Sequence, residues 1–518
     1  WDKAVMSYVA GFQYLRDQMD MDQDFTRADI YTLMQKQNSR VLSQEIAVKN
    51  RPGAWKHWEW STGISGFCQW LTTTAPVTFR QEGVSWINGN MNTMANMKMP
   101  VIEQKLPNGQ TLMSMKMIFN DQIQGEKLPF PGHFQTPTGN GAIYHQSTIT
   151  DLLGVKGLDL IAGLRLDYEK LRLDYNTGYD FQHEYGLNGE LTMGGMTRNL
   201  TLVEKNTYQA QRELMGKLKH DYLQLLPRFS VQYKIKDSNV YATISKGYRS
   251  GGYNIQQFSG ALQRLMQADI MQDVADVTIP VLENQPAVPA DIKKQVTGML
   301  MGMATQPEIN IRDLCQYKPE YAWNYEVGTH INVLNRRLRM DAAVYLTEVR
   351  DQQVSRMADN GLGRITVNAG RSRAVGCEFS AEGQISEALS AHTAYGFTHS
   401  TFRTYSPKEG LTYRGNYVPF VPIHTFNVGA RYNWNLDGWL QHIILQADWN
   451  GRGKTYWTED NQASENFYGT LDARLSLSHG QVEMGLWGKN LTNHDYRAFY
   501  FESMGRGFYQ KGAPLQVG

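Results

Sequence analysis

The chain has 518 residues, with 51 Lys and Arg against 50 Asp and Glu, and its net charge is +1. This balance argues against a nucleic-acid-binding protein, because no basic excess is available to neutralise phosphates. No run of about 18 apolar residues is present, so the sequence predicts no transmembrane helix. The mean hydropathy of −0.48 still allows a transmembrane β-barrel, in which only every second residue faces lipid.

The cysteines and the first residue set further limits. Cys68, Cys315 and Cys377 are far apart and odd in number, which excludes a disulfide framework or a CxxC metal knuckle. The chain begins at Trp1 with neither an initiator Met nor a signal peptide. We therefore expect an internal part of a longer protein.

The N-terminal third predicts strands separated by long loops. A first strand is expected near residues 4–17 and another at 157–168, with long loops at 73–139 and 176–205. The stretch 258–304 has the apolar spacing of helices, so short helices with a small core of Met and Leu are expected in a loop over 250–319.

Two short motifs in this third resemble metal sites, but each lacks a residue that the site requires. Asp20, Asp22 and Asp24 are spaced as in a calcium loop, but Phe25 replaces the required Gly. His183 is followed by Glu but has no second His to complete a zinc hydrolase motif. We expect a solvated loop at the first motif and no zinc enzyme from the second.

From residue 235 on, apolar and polar residues alternate with a period of two, which predicts long strands with one apolar face. "WNYEVGTHINV" (323–333) is one example, and similar runs occupy 239–249, 338–347, 375–382, 389–398, 426–434, 443–450, 470–477 and 481–489. Strands of ten or more residues are long enough to cross a bilayer at a tilt.

The connections between these strands alternate in length. Short turns at 236–239, 334–337, 385–388, 435–439 and 478–481 alternate with long loops near 250–319, 355–364, 404–419 and 457–464. This is the arrangement of an up-and-down outer-membrane barrel, whereas a Greek-key sandwich would not keep it. The fold class predicted is therefore an all-β transmembrane antiparallel barrel of about sixteen strands, the last near 505–518.

The face opposite the apolar stripe carries mixed charges, which need water or a polar partner. Two interpretations remain open: a solvated pore wall with neighbouring ion pairs, or a wall that contacts a domain folded inside the barrel. The residues predicted to face the lumen or such a plug are Glu326, Arg339, Asp341, Glu378, Arg431, Asp472 and Arg474.

Longer segments of this pattern resemble the barrel of TonB-dependent receptors. They are "LLPRFSVQYKIKDSNVYATISKGYRSGGYN" (225–254), residues 317–354, "TVNAGRSRAVGCEFSAEGQI" (366–385) and residues 486–518. Residues 13–25 and 58–79 are similar to the siderophore-receptor branch, especially its Bacteroidetes-type members.

The resemblance implies a multi-pass protein of the bacterial outer membrane, surrounded by lipid, that imports a ferric siderophore or similar scarce ligand with energy from the inner membrane. It implies 22 strands, an N-terminal plug and a TonB box that recruits the TonB complex. We expect residues 1–518 to be a partial barrel domain that lacks the plug and the first strands. We expect no enzymatic activity, no cofactor and no bound metal, and haem is disfavoured because "YRAFYF" (496–501) is not the haem-receptor motif.

Ligand contacts are expected where lumen-facing strand ends meet the outer loops, because Arg can pair with an anionic chelate and aromatic rings can pack on its faces. The alternative is that these aromatics form the interfacial girdle of any outer-membrane barrel. The candidates are Tyr248, Arg249, Tyr253, Tyr321, Trp323, Arg350 and Trp457.

Two other functions fit the same pattern. One is a passive porin of about sixteen strands, and the other is a non-transporting surface protein such as an adhesin or a phage receptor. A plug and a TonB box in the full gene would favour active transport over both.

Overall fold

The computed structural model describes residues 2–22, 24–286, 288–358, 363–503 and 505–518. These ranges contain four α-helices, α1 (Gln81–Lys98), α2 (Gln257–Glu283), α3 (Ala290–Ala304) and α4 (Ile311–Cys315), and a short 3-10 helix (Leu152–Gly154). None of these helices is both long and apolar enough to cross a bilayer.

The strands are numbered along the chain. In the first half they are β1 (Ala4–Asp22), β2 (Tyr31–Asn50), β3 (Trp58–Thr74), β4 (Val77–Phe79), β5 (Val101–Lys105), β6 (Thr111–Ile123), β7 (Leu128–Phe130), β8 (Gly132–Gln135), β9 (Thr138–Ile149), β10 (Leu158–Met193), β11 (Met196–Ile235) and β12 (Ser238–Arg249). In the second half they are β13 (Gly252–Tyr253), β14 (Gln316–Tyr317), β15 (Glu320–Val333), β16 (Leu338–Arg350), β17 (Gln353–Met357), β18 (Arg364–Asn368), β19 (Arg371–Gln384), β20 (Leu389–Thr404), β21 (His424–Asn435), β22 (His442–Arg452), β23 (Thr455–Tyr456), β24 (Ser464–Glu465), β25 (Tyr468–His479), β26 (Val482–Lys489), β27 (Arg497–Ser503), β28 (Arg506–Lys511) and β29 (Gln516–Val517).

Within the described ranges, sixteen strands form one antiparallel series in which each pairs with the next. The order is β1, β2, β3, β9, β10, β11, β12, β15, β16, β19, β20, β21, β22, β25, β26 and β29. The connections along the series alternate between short turns and long segments. The predicted all-β up-and-down fold class is confirmed.

Two predictions about individual segments are wrong. Residues 176–205 are not a loop, because they form the distal part of the β10–β11 hairpin, which closes at a tight turn of Gly194 and Gly195. Residues 505–518 are not one strand, because β28 pairs with β27 in a separate hairpin and only β29 joins the series.

The two faces of the series differ in polarity, as the period of two requires. Val344 and Val428 are 57% and 48% exposed on the apolar face. On the other face Tyr241 donates to Glu326 (2.7 Å), and His330 lies 2.5 Å from Asp341. The apolar face has the character of a lipid-facing wall, and the polar face is cross-linked by its own side chains.

One polar-face residue shows why glycine is needed in such a wall. The Tyr241 ring lies flat over the neighbouring strand, and a Cβ added at Gly328 would come within 2.6 Å of its hydroxyl oxygen. Any larger residue at Gly328 would displace the ring and break its bond to Glu326. The glycine therefore preserves the polar network.

A second body, here called the cap, stands at the long-loop side. It comprises α1, β6, residues 179–193 of β10, residues 196–212 of β11, α2 and α3, and most of the largest buried apolar cluster lies in it. Met117, Tyr185 and Leu187 are fully buried there. The Met and Leu of α2 and α3 do form a core, but that core is shared with α1 and the hairpin, and α2 is 27 residues long rather than short.

Helix α1 attaches to β6 by an asparagine ladder. Asn88, Asn92 and Asn96 each bond both backbone groups of one β6 residue, respectively Ile123, Asp121 and Phe119. Four helical residues rise about 6 Å and two strand residues about 7 Å, so the two repeats stay in register. The ladder satisfies the outward-facing groups of β6, whose other edge pairs with β10.

Candidate functional site

A cavity of about 220 Å³ opens among the loops at the long-loop side. It forms where the β17–β18 hairpin, the β20–β21 loop, the β22–β25 loop and the β27–β28 hairpin meet. Its lining residues are Ser355, Arg356, Met357, Arg364, Tyr413, Pro419, Phe420, Trp457, Thr458, Glu459, Asp460, Tyr500, Phe501 and Glu502.

Arg364 is held in this cavity by backbone and aromatic contacts. Its guanidinium donates to the side chain and the carbonyl of Ser355, at 3.2 and 3.1 Å. The same group lies 5.8 Å from the Phe420 ring and 5.2 Å from the Phe499 ring. Burial lowers the pKa of Arg364, but an arginine keeps its charge at any physiological pH. The cavity thus holds a preorganised, partly desolvated cation.

The cavity is also lined by three acidic residues, Glu459, Asp460 and Glu502. Asp460 accepts from the Thr458 hydroxyl (2.6 Å), and Glu502 accepts from the Tyr500 hydroxyl (2.9 Å). Burial raises the pKa of Glu459, and the nearby Arg356 opposes that rise. These hydroxyl bonds orient Asp460 and Glu502, and the cavity combines three acidic residues with Arg356 and Arg364.

Trp457 is the predicted ligand-binding residue that lies in this cavity. It is 5% exposed, its ring meets Phe420 edge-on at 5.6 Å, and its indole nitrogen is buried with no hydrogen-bond partner among the described residues. A buried N–H without an acceptor is unfavourable by about 1–3 kcal/mol. The wall of the cavity therefore contains a buried, unsatisfied donor.

Three predicted ligand residues lie together elsewhere. Register pairs Tyr248 with Tyr321 and Tyr321 with Arg350, so these residues form one row across β12, β15 and β16. Arg249 and Trp323 lie next to this row on the same strands. The row and the loop cavity are separate places in the described structure.

Tyr253 lies apart from the row, in the small sheet of β13 and β14, the two strands that precede and follow helices α2 to α4 in the chain. It packs on the cluster around Phe258 and Cys315 rather than at a strand end that faces the loops. Its hydroxyl is buried without a hydrogen-bond partner among the described residues.

Tyr248 also lines a cavity of about 540 Å³ on the polar face. Asp167 and Glu169 of β10 line it too, and each is 4% exposed. Asp167 accepts from Asn140 (2.5 Å) and Arg165 (2.9 Å), whereas one oxygen of Glu169 has no partner in the described chain.

The seven residues predicted to face the lumen or a plug all lie on the polar face. Besides the Glu326 and Asp341 contacts, Asp472 accepts from the Asn490 amide (2.8 Å) and Arg474 lies 3.6 Å from Glu483. The same face carries a cavity of about 580 Å³ whose acidic lining residues are Glu326, Asp341 and Glu378. Arg339 and Arg431 share this face by register.

Within the cap, a buried charge network joins α2 to β6 and β10. His183 lies between two carboxylates, with Nδ1 2.9 Å from Asp121 and Nε2 3.1 Å from Asp273. Burial alone would lower the pKa of His183, but the hydrogen bonds and charges of Asp121 and Asp273 raise it to about 9. His183 is therefore an imidazolium at neutral pH, and it fastens α2 onto the hairpin.

A second link lies one helical turn away. Asp269 of α2 accepts from Arg212 of β11 (2.8 Å) and from Gln306 (2.7 Å), and Tyr179 also donates to it. Burial would raise the pKa of Asp269, but these donors hold it below its usual range.

The described residues contain no group of three or more His, Cys, Asp or Glu that could hold a metal ion. At the calcium-like spacing, Asp24 is buried and accepts from the backbone of Thr26, Ile30 and Tyr31. That carboxylate organises its own loop.

Sequence reasoning missed Arg356, Arg364 and Phe420. The signal available was the concentration of Arg and aromatic residues in loops already recognised as long. Which loops converge depends on packing between segments far apart in the chain, and periodicity does not report it.

Comparison with known proteins decides the family. The family model "TonB dependent receptor-like, beta-barrel" matches residues 115–491, more than two thirds of the chain. The chain belongs to the TonB-dependent receptor family. Membership confirms the outer-membrane location and a receptor rather than an enzyme.

Individual relatives of this TonB-dependent receptor are distant. The "Pesticin receptor" of Yersinia enterocolitica is 22% identical over 409 residues, which cover 76% of this chain and 50% of the relative. The "Probable TonB-dependent receptor BfrD" of Bordetella pertussis is 29% identical over 159 residues, covering 31% and 20%. The solved "ferric yersiniabactin uptake receptor FyuA from Yersinia pestis" has a TM-score of 0.44 and 15% identity, covering 99% of this chain and 78% of that one. The chain spans about half the length of the curated relatives it matches.

Proposed function

We propose that this chain is the barrel part of a transporter that imports a ferric siderophore or a similar scarce chelate across the outer membrane. The observation that carries the proposal is the loop cavity, where the Arg364 guanidinium lies 5.8 and 5.2 Å from two phenyl rings and where the buried Trp457 forms part of the lining. Many ferric chelates are anionic with flat, partly apolar ligand arms, and this combination of groups suits them.

The size of the cavity limits what it can hold. Small-molecule sites usually enclose about 300–1,000 Å³, whereas this one encloses about 220 Å³. We propose that it takes one arm of a chelate while the rest of the complex faces the space above the polar wall. The row of Tyr248, Tyr321 and Arg350 is the proposed second contact.

The polar wall supports the proposal of a plug. Glu169 has a buried carboxylate oxygen without a partner among the described residues, and the 580 Å³ cavity is lined by Glu326, Asp341 and Glu378. Basic side chains of a plug folded inside the barrel would satisfy these acids. Arg339, Arg431, Asp472 and Arg474 are proposed as further plug contacts, and TonB would act on that plug to open the path.

Binding of a panel of ferric catecholate, hydroxamate and carboxylate chelates to the purified full-length receptor is measured by tryptophan fluorescence. Arg364→Ala should weaken binding of the recognised chelate at least tenfold, because charge-assisted hydrogen bonds contribute about 1.5–3 kcal/mol. Arg414→Ala is the matched control, since Arg414 is exposed in a loop that borders the cavity but does not line it. Equal affinities for wild type and Arg364→Ala would remove the cavity from the proposal.

Transport is tested by uptake of the labelled chelate into cells that carry the full gene, with and without TonB. Active import predicts uptake only with TonB. Equal uptake in both strains would contradict it and leave a passive porin, and absence of uptake in both would leave a non-transporting surface protein.

A further inference from the structure

Three methionines form a row at the apex of the β10–β11 hairpin. Met193 and Met196 are the pair that closes the Gly194–Gly195 turn, and Met193 also pairs with Met113 of β6 on its other side. Directly paired residues of antiparallel strands point to the same face. The three thioether side chains therefore stand side by side on one face of the sheet.

The core of the cap does not require these three side chains. Lower on the same face, Met115 and Met117 are buried in the core. At the apex, Met193 and Met196 are 55% and 78% exposed, and Met113 is only partly buried. A core that ends at Met115 gives no packing reason for methionine in the three positions beyond it.

We propose that this row binds a soft monovalent cation, with Cu(I) as the natural class and Ag(I) as its redox-stable analogue. Thioether sulfur is a soft ligand that favours Cu(I) over Mg²⁺, Ca²⁺ or Zn²⁺. The next residue of the row is Gln104, opposite Met113, so no carboxylate of the row competes for a hard ion. The proposal is independent of siderophore import, because it concerns binding at the membrane-distal tip.

The geometry allows the three sulfurs to converge. Neighbouring strands lie about 4.8 Å apart, so the outer two backbones of the row are about 10 Å from each other with Met193 between them. Methionine has three rotatable side-chain bonds, which lets Met113 and Met196 lean toward the middle residue. The two glycines of the turn, with φ of 56° and 81°, fix the Met193–Met196 pair at the hairpin end.

The test is Ag(I) titration of the purified full-length receptor in detergent by calorimetry, and Cu(I) competition against a colorimetric Cu(I) chelator. The variant Met113→Leu/Met193→Leu/Met196→Leu keeps apolar volume and removes sulfur. It should lose one equivalent of bound Ag(I), or bind that equivalent at least tenfold more weakly. Met215→Leu is the matched control, since Met215 is 60% exposed on β11 outside the row and should leave the titration unchanged.

A second measurement does not depend on the folding of the variant. In wild-type protein labelled with ¹³C-methyl methionine, the resonances of Met113, Met193 and Met196 should shift together and saturate at one equivalent of Ag(I). The proposal would be overturned if the triple variant and the wild type bound Ag(I) identically. It would also be overturned if the methyl resonances of these three residues did not shift.

Discussion

Removing one rung of the asparagine ladder should release one specific amide of β6. In Asn92→Ala the Asp121 N–H loses its acceptor, now at 2.8 Å, and the Asp121 carbonyl loses its donor, now at 2.7 Å. Each hydrogen bond contributes about 1 kcal/mol net, so local opening of this edge should become about 2 kcal/mol easier. That corresponds to a fall of about thirtyfold in protection of the Asp121 amide, at about 1.4 kcal/mol per factor of ten.

Amide hydrogen exchange resolved to single residues measures this directly. Asn120 and Gln122 lie in the β6–β10 pairing and have no bond to Asn92, so their protection should change little. Asn90→Ala is the matched control, because Asn90 is exposed on the same helix and experiences the same gain in helix propensity.

The pattern, rather than the size of the effect, decides the interpretation. If Asp121 kept its protection in Asn92→Ala, the ladder would not be what seals this edge of β6. If Asn120, Asp121 and Gln122 lost protection equally, the ladder would hold the whole cap together rather than individual backbone groups.

Other predictions address the cap and the wall. The pKa of His183 is raised from 6.5 to about 9 in the folded protein, so its contribution of about 3 kcal/mol to the stability of the cap is complete below pH 6.5 and is lost as the pH rises through 9. Proteolysis of the cap should therefore accelerate over that pH window in the wild type and show no such step in His183→Gln. Asp269→Asn should weaken the link to Arg212 by about 1–3 kcal/mol and speed cleavage between α2 and α3, whereas unchanged cleavage would show that the apolar core alone fixes α2. Val428→Arg on the apolar face should destabilise the barrel in lipid by up to about 2–4 kcal/mol, whereas Asn427→Arg on the polar face should not. Heat-modifiable electrophoretic migration measures the stability of both variants, and equal stability would refute the assigned faces.

The strand series was predictable because two local signals agree with the global fold. A period of two over ten or more residues and the alternation of short and long connections both follow from crossing a bilayer repeatedly. Runs such as 323–333 therefore indicate their strand directly, and β15 covers this run with the predicted next-neighbour pairing. The seven charged wall residues were placed on one face for the same reason.

The cap was not predictable in the same way. Helix α1 was predicted to be part of a long loop at 73–139, because its Asn and Gly residues are typical of loops and their partners become visible only in the ladder to β6. The loop cavity depends on segments about 100 residues apart coming together, such as those of Ser355 and Trp457, which both line it. No local period encodes such contacts, so Arg364 could not be singled out from other loop arginines.

The mistaken loop at 176–205 has a physical cause that also locates the membrane surface. Along β10, one face changes from polar at Asp167 and Glu169 to apolar at Leu171 and Leu173. The opposite face changes from aromatic at Tyr168 to charged at Lys170. The partner strand changes at the same level, because Tyr168 pairs with Leu223 and Lys170 pairs with Asp221. Below this level the outward face meets lipid and the inward face meets water.

Above that level the outward face meets water and the inward face meets the core of the cap. A prediction that assumes one constant polarity for each face of a strand ends the strand at this level, because the alternation changes there. The backbone instead continues to Met193, because strand pairing does not depend on which solvent each face contacts. The inversion between Tyr168 and Lys170 therefore marks the outer boundary of the bilayer, and everything that binds at the cap or the loops does so on the far side of it.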